Sequence, residues 1–234
     1  MAKELEGRIA LITGANRGIG LAVAKAFAAE GARCILAGRN LAALESTARA
    51  LGNASVLPLD LDDPEAIRKA TRSVAALDIL VANAAVLGAR VPLKDYPLEA
   101  WLHAFQTNVH ANLLLLQGLD ALLRKSDAGR VIVVTSGAAR TARAGGGSYA
   151  VTKAALEMMA AVYAREVAGT PVRINMLNPG PTRTAMRAQV APNEDPMTLK
   201  TPEDIAPLFV ELASPACKRQ AEWINADVWL KSVR

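Results

Sequence analysis

Arg8-Ile9-Ala10-Leu11-Ile12-Thr13-Gly14-Ala15-Asn16-Arg17-Gly18-Ile19-Gly20 decides how this chain folds. The run from Arg8 to Thr13 is short, mostly apolar and ends at glycine, the pattern of a strand buried on both faces. Leu21 to Glu30 reads as a helix closed by Gly31. A glycine-rich turn therefore joins a strand to a helix N-terminus. Glycine lets backbone N–H groups come close to a phosphate, and the helix dipole favours the negative charge. Glycine spacing alone is a weak signal; the strand before it and the helix after it supply the context.

Working outward, Arg33 to Gly38 reads as a second strand and completes a βαβ unit. A dinucleotide site reading an unphosphorylated ribose would want an acid near the end of that strand. The chain has Gly38, Arg39 and Asn40 there, with Arg17 inside the glycine turn. Guanidiniums suit a 2′-phosphate, so the sequence favours NADP(H) over NAD(H). The plain alternative is that Arg17 and Arg39 are solvated surface groups.

The alternation continues. Leu41 to Leu51 reads as helix, Ser55 to Leu61 as strand, and Pro64 to Ala75 as a helix begun by Asp62 or Asp63. Asp78 to Asn83 reads as strand. Leu98 to Lys125 reads as a long, possibly bent helix with Asn108 among apolar neighbours, a buried amide that must find partners. Arg130 to Thr135 and Val172 to Leu177 read as strands, Pro202 to Ala213 as the last long helix, and Glu222 to Trp229 as a final strand region. Residues 185–200 read as irregular, a lid or a surface excursion. Alternating strands and helices imply an α/β fold, a single Rossmann-like doubly wound parallel sheet with helices on both faces, residues 1–234 forming one domain. Ligands in such sheets bind beyond the strands' C-terminal ends, where Gly14, Asp60, Asn83, Ser136 and Pro179 fall.

Tyr149-Ala150-Val151-Thr152-Lys153 precedes a helical run from Ala154 to about Ala168. Helical residues four apart share a face, so the phenol and the ammonium can meet in one cleft. A nearby cation favours the phenolate, which predicts a lowered Tyr149 pKa and a role as general acid or base. On the pentapeptide alone, a surface helix carrying Tyr and Lys is the bland reading.

The chain of 234 residues is 52% hydrophobic and 4% aromatic, which implies a core of Ala, Val, Leu and Ile. Its net charge of +5 is scattered, without a basic run or interleaved aromatics, and nucleic-acid binding is not expected. Cys34 and Cys217 make no disulfide framework, and with only His103 and His110 no metal site is expected. No signal-peptide or membrane-spanning pattern stands out, so a cytoplasmic location is expected.

Together Thr13 to Gly20, Asp60, Asn83-Ala84-Ala85, Asn108, Ser136, Tyr149 to Lys153 and Asn178-Pro179-Gly180 resemble the classical short-chain dehydrogenase/reductase family over residues 7–184. Order and spacing agree as well as residue type; Ser136 precedes Tyr149 by 13 positions. The resemblance implies that Gly14, Asn16, Arg17, Gly18, Ile19 and Gly20 cradle the cofactor phosphates and adjoining ribose. It implies that Asp60 and Leu61 contact the adenine, and that Asn83 and Ala84 run beside the riboses. Tyr149 would be the acid or base, Lys153 would bind the nicotinamide ribose and depress the tyrosine pKa, and Ser136 would bond the substrate oxygen. Asn108 would hold a proton-relay water, and Pro179, Gly180, Thr182 and Thr184 would pack at the nicotinamide end. The implied activity is hydride transfer between NADP(H) and a carbonyl or secondary alcohol, in a homo-oligomer. A non-enzymatic NADP(H) sensor on the same fold is the alternative. Ala85 stands where the family usually has glycine, and the family's Gly-Gly near the last strand is absent. Arg90, Arg140, Arg143 and Arg187 sit in the expected substrate-facing segments. They suggest an acidic substrate, or more plainly a solvated surface.

Overall fold

A computed structural model describes residues 3–233 of the chain. Seven strands form one parallel sheet: β1 (Ile9–Thr13), β2 (Arg33–Gly38), β3 (Ala54–Pro58), β4 (Ile79–Ala82), β5 (Arg130–Val134), β6 (Arg173–Asn178) and β7 (Trp223–Asn225). Their spatial order is β3-β2-β1-β4-β5-β6-β7. The chain leaves β1 in one direction for β2 and β3, and returns to β1's other side with β4. A crevice opens at that reversal, outside the strands' C-terminal ends.

Parallel strands need helical crossovers, which cover both faces. One face carries α1 (Gly18–Ala29), α2 (Leu41–Leu51) and α8 (Pro202–Ala213). The other carries α3 (Pro64–Arg72), α5 (Ala111–Lys125) and α6 (Gly147–Glu166). Alternation along β1 sends Leu11 to the second layer with Ile67, Leu115, Leu119 and Leu156, while Ala10 and Ile12 join Val23, Phe27 and Phe209 in the first. Local chemistry marks the ends. The Asn40 side chain accepts from the Ala43 N–H at 3.1 Å to cap α2. Asp63, not Asp62, caps α3 with Pro64 at its first position. Thr201 and Asp204 form a capping box on α8.

Six expectations change. Helix α1 starts at Gly18 rather than Leu21, so the glycine turn is itself the helix's first turn. Strand β3 stops at Pro58, leaving Asp60 and Leu61 in a turn. The 98–125 helix is three pieces: α4 (Leu98–Phe105), a π-helical turn at Gln106–His110 and α5. The wide turn frees the backbone around Asn108, and the bend has a cause of the kind expected. The 185–200 segment contains α7 (Ala185–Val190), capped by Thr184 and stapled by an Arg187–Glu194 ion pair. The final region is strand only over three residues; the Asn225 side chain accepts from the Asp227 N–H at 2.8 Å and turns the chain into α9 (Ala226–Val233).

Helix α6 also starts early, at Gly147, and takes Tyr149 into its first turn. Its Val151, Met158 and Val162, spaced seven and four apart, are exposed, so this apolar helix is not interior all round. No described helix is long and apolar enough to cross a membrane.

Candidate active site

A cleft of about 610 Å³ runs along the C-terminal ends of the strands. Thr13 builds its floor. The Thr13 hydroxyl accepts the N–H groups of Asn83 (3.0 Å) and Ala84 (3.1 Å), and the Asn83 amide donates to the Thr13 carbonyl at 2.8 Å. These bonds lock β1 to β4 at the reversal point. Gly14 has φ +67°, which a side chain would strain, and lets the chain double back over that floor.

At the N-terminus of α1, Arg17 occupies the capping position without a side-chain cap. The first-turn N–H groups therefore face the cleft, an arrangement that receives an anion. Of the residues expected to hold the cofactor, Gly14, Asn16, Arg17, Gly18, Ile19, Arg39, Asp60, Leu61, Asn83, Ala84, Tyr149, Lys153, Pro179 and Thr184 line this one cleft. A cradle of backbone donors, a guanidinium rim at one end and a phenol–ammonium pair at the other fit an extended dinucleotide phosphate.

Three expected contacts lie behind the wall. Gly20 is buried beneath the turn; a Cβ there would press on the Gly14 carbonyl and stand 2.7 Å from the Asn83 amide nitrogen. Its role is to let α1 approach β4. Thr182 is buried and donates to the carbonyls of Pro179 and Gly180. Gly180 packs against Asp227 and Lys200 rather than the cleft.

Asn108 is the buried amide among apolar neighbours, and it finds its partners across the cleft wall. It is fully buried; its carbonyl oxygen accepts from the Val86 N–H at 2.9 Å, and its amide donates to the Val86 carbonyl at 2.9 Å and to the Thr152 hydroxyl at 3.0 Å. The Asn108 backbone carbonyl accepts from the Asn112 amide at 2.8 Å. With both amide N–H groups donating and its oxygen accepting from Val86, Asn108 buckles the cleft wall at Val86 to α6.

At the closed end, the Lys153 ammonium is 2% exposed and donates to the Val134 carbonyl at 2.6 Å. It lies 5.8 Å from the centre of the Tyr149 ring. Ser136 stands close enough to Tyr149 for its hydroxyl to favour the phenolate. The expected lowering of the phenol does not occur: burial pushes Tyr149 up, and Ser136 only partly offsets it. The ammonium itself is held on the Val134 carbonyl. Burial instead lowers Lys153 to about 8, with the Glu157 carboxylate opposing.

A buried ammonium costs stability. The Lys153→Met variant is therefore expected to melt higher than the parent near pH 6, by about 2–4 °C for each kcal/mol recovered. Lys153 is protonated below about 8 when folded and below an ordinary 10.5 otherwise. Between those values the unfolded chain holds more protons, so parental stability rises with pH and the gap should close. Melting scans from pH 6 to 10 check this; a gap that widens with pH refutes it.

Other contributors to the cleft went unmarked in the sequence: Asp62, Thr107, Thr135 and Arg183; Val86 and Met186 fall in the expected substrate-facing segments 86–97 and 185–200. Asp62 pairs with Arg39 at 3.4 Å, with the His103 ring nitrogen at 2.9 Å and with the Thr107 hydroxyl. Its spacing two residues beyond Asp60 was the one available hint. Three of the four arginines in the expected substrate segments are already engaged. Arg90 donates to the Gln189 and Val190 carbonyls, Arg140 pairs with Glu157 and Arg187 with Glu194. They do not form a receptor for an acidic substrate.

A doubly wound parallel sheet with an anion-receiving glycine turn at its switch point, and Tyr149 and Lys153 along the same cleft with Ser136 close behind, defines a dinucleotide-dependent oxidoreductase fold. Residues 8–195 match the short chain dehydrogenase family model. The oxidoreductase YciK of Escherichia coli K12 is 38% identical over 227 residues, covering 92% of this chain and 90% of YciK. A short chain dehydrogenase of Shigella flexneri 2a, solved in complex with NADP, superposes with a TM-score of 0.92 at 36% identity, over 97% of this chain and all of that one. A short chain dehydrogenase of Escherichia coli CFT073, solved with NADPH, also gives 0.92 at 36% identity, over 97% and 99% of the two chains. The chain belongs to the short-chain dehydrogenase family.

Proposed function

We propose that this protein is an NADP(H)-dependent carbonyl reductase, working as one domain, in which Tyr149 protonates the substrate oxygen. The observation that carries the reading is that Tyr149, with Ser136 close by, and the buried Lys153 stand together along a cleft shaped for a dinucleotide. The bound nicotinamide supplies the hydride chemistry.

The chain's residues supply the rest. Backbone N–H groups at the start of α1 hold phosphate. Arg39 and Arg17 face the cleft at the ribose end and provide the guanidiniums for a 2′-phosphate. Lys153 holds ribose hydroxyls. Ser136 donates to the substrate carbonyl oxygen as negative charge grows there, and Tyr149 gives that oxygen its proton. Burial keeps the phenol protonated at neutral pH, which suits reduction better than oxidation. Ala85, Val86, Ala185 and Met186 line the mouth beside the phenol. They favour an uncharged, partly apolar carbonyl compound.

Cofactor choice gives a direct test. Arg39→Ala is expected to weaken NADPH binding roughly 10-fold or more, the scale of a lost charge-assisted bond, and to leave NADH nearly unchanged. Asp62→Asn removes a carboxylate paired with that guanidinium and is expected to tighten NADPH a few-fold. Fluorescence titration of both cofactors measures this. Equal losses for NADPH and NADH in Arg39→Ala would end the 2′-phosphate assignment.

A further inference from the structure

Glu157 lies one helical turn past Lys153 on α6, so Tyr149, Lys153 and Glu157 form a line at four-residue spacing. Its carboxylate is 11% exposed. It accepts from the Thr135 hydroxyl at 2.6 Å, from the Trp223 indole N–H of β7 at 2.8 Å and from the Arg140 guanidinium at 2.9 Å. Arg140 also stacks 4.5 Å over the Trp223 ring. Thr135 follows Val134 at the end of β5, and both are tied to α6. The Val134 carbonyl holds Lys153 and Thr135 holds Glu157, with Ser136, the next residue, close to Tyr149.

We propose that Glu157 is a positioning residue of the reaction: it supplies a carboxylate one helical turn from the buried Lys153 ammonium and, through Thr135, clamps the strand end that presents Val134, Thr135 and Ser136 to α6. This rests on the function proposed above and extends it by one residue. The groups around the pair are few. Lys153 faces Tyr149 and Glu157 from its own helix and the uncharged end of β5. Glu157 faces Lys153, then Arg140 from the turn after β5, then Trp223 from β7. Glu222 beside that indole is paired with Arg219. Burial works against the ammonium and the Glu157 carboxylate works for it, holding Lys153 at about 8. Arg140, half exposed, weakens the carboxylate's influence from outside.

The test is NADPH affinity from pH 7 to 10, followed by fluorescence in the full chain. Parental affinity should fall as Lys153 loses its proton near pH 8. In Glu157→Gln the fall should come earlier, by about 0.5–1 pH unit. In Arg140→Ala it should come later, because the carboxylate is no longer partnered by a second cation. Thr135→Val should weaken binding at every pH without moving the inflection. Opposite shifts from Glu157→Gln and Arg140→Ala are an outcome that a general loss of packing does not produce. Coincident inflections in parent and Glu157→Gln overturn the proposal. If Glu157→Gln does not fold, an Arg140→Ala inflection that is unmoved or earlier overturns it equally. Lys153→Met separates the two levels. A flat profile in that variant upholds the lysine's place at the cofactor, so failure of the Glu157 shifts then counts against Glu157 alone. A parental inflection persisting in Lys153→Met counts against the proposed function itself.

Discussion

Tyr149→Phe is expected to lose carbonyl reduction by about 10²–10⁴-fold while keeping NADPH affinity within a few-fold. Positioned general acids contribute on that scale, equivalent to roughly 3–5 kcal/mol of barrier. The phenylalanine ring fills the same volume, so the cleft should keep its shape. The hydroxyl's neighbour is Ser136, whose Oγ accepts from the Ala138 N–H at 3.2 Å. Ser136 thus stays anchored in the variant, and the loss should appear in kcat. Steady-state NADPH oxidation with a panel of aromatic and aliphatic aldehydes and ketones measures the first quantity, and cofactor titration the second. Full turnover in the variant, on a substrate the parent reduces, would remove Tyr149 from the mechanism. A matching loss of cofactor affinity would mean that the phenol supports the dinucleotide rather than the proton.

Gly20→Ala carries the largest structural effect. The added methyl would overlap the Gly14 backbone carbonyl and crowd the Asn83 amide at 2.7 Å. Neither neighbour can yield. The Gly14 N–H is bonded to the Ala37 carbonyl at 2.9 Å, and the Asn83 amide is committed to Thr13. Helix α1 must then move off the sheet. Overpacking of this kind costs about 1–3 kcal/mol, and the same displacement opens the phosphate-binding turn. The expected result is a lowered melting temperature together with at least tenfold weaker NADPH binding. Parental stability and parental affinity in the variant would show that the turn has slack that the geometry denies it.

Much of this was legible in the chain. Strands β1, β2, β4, β5 and β6 announced themselves as apolar runs, because a strand covered on both faces has no polar side to show. An aspartate at 62 or 63 marked one helix start through local side-chain chemistry, and Asp63 proved to be the cap. The glycine turn, the Tyr–Lys pair and Ser136 stood out because their spacing is itself the chemistry.

The failures share a physical cause. Gly20 and Thr182 belong to the same motifs as the cleft residues, and only packing reveals that they support the wall from behind. Asn108 was visible as a buried amide, but its partners Val86 and Thr152 lie 22 and 44 residues away. The tyrosine was expected to be acidified because residues four apart share a helix face. Burial and the grip of the Val134 carbonyl on the ammonium reversed that sign, and both are properties of the assembled core. Three of the four arginines of the substrate-facing segments, Arg90, Arg140 and Arg187, are taken by partners that only the fold brings to them.

Sequence alone therefore determined the alternation of strands and helices, the switch-point crevice and the residue types that meet there, since periodicity, glycine spacing and capping act over a few residues. The tertiary structure alone decided which of those residues face the cleft, which direction each proton equilibrium moves, and that Glu157 stands behind Lys153. Those depend on desolvation and on hydrogen bonds between segments far apart in the chain.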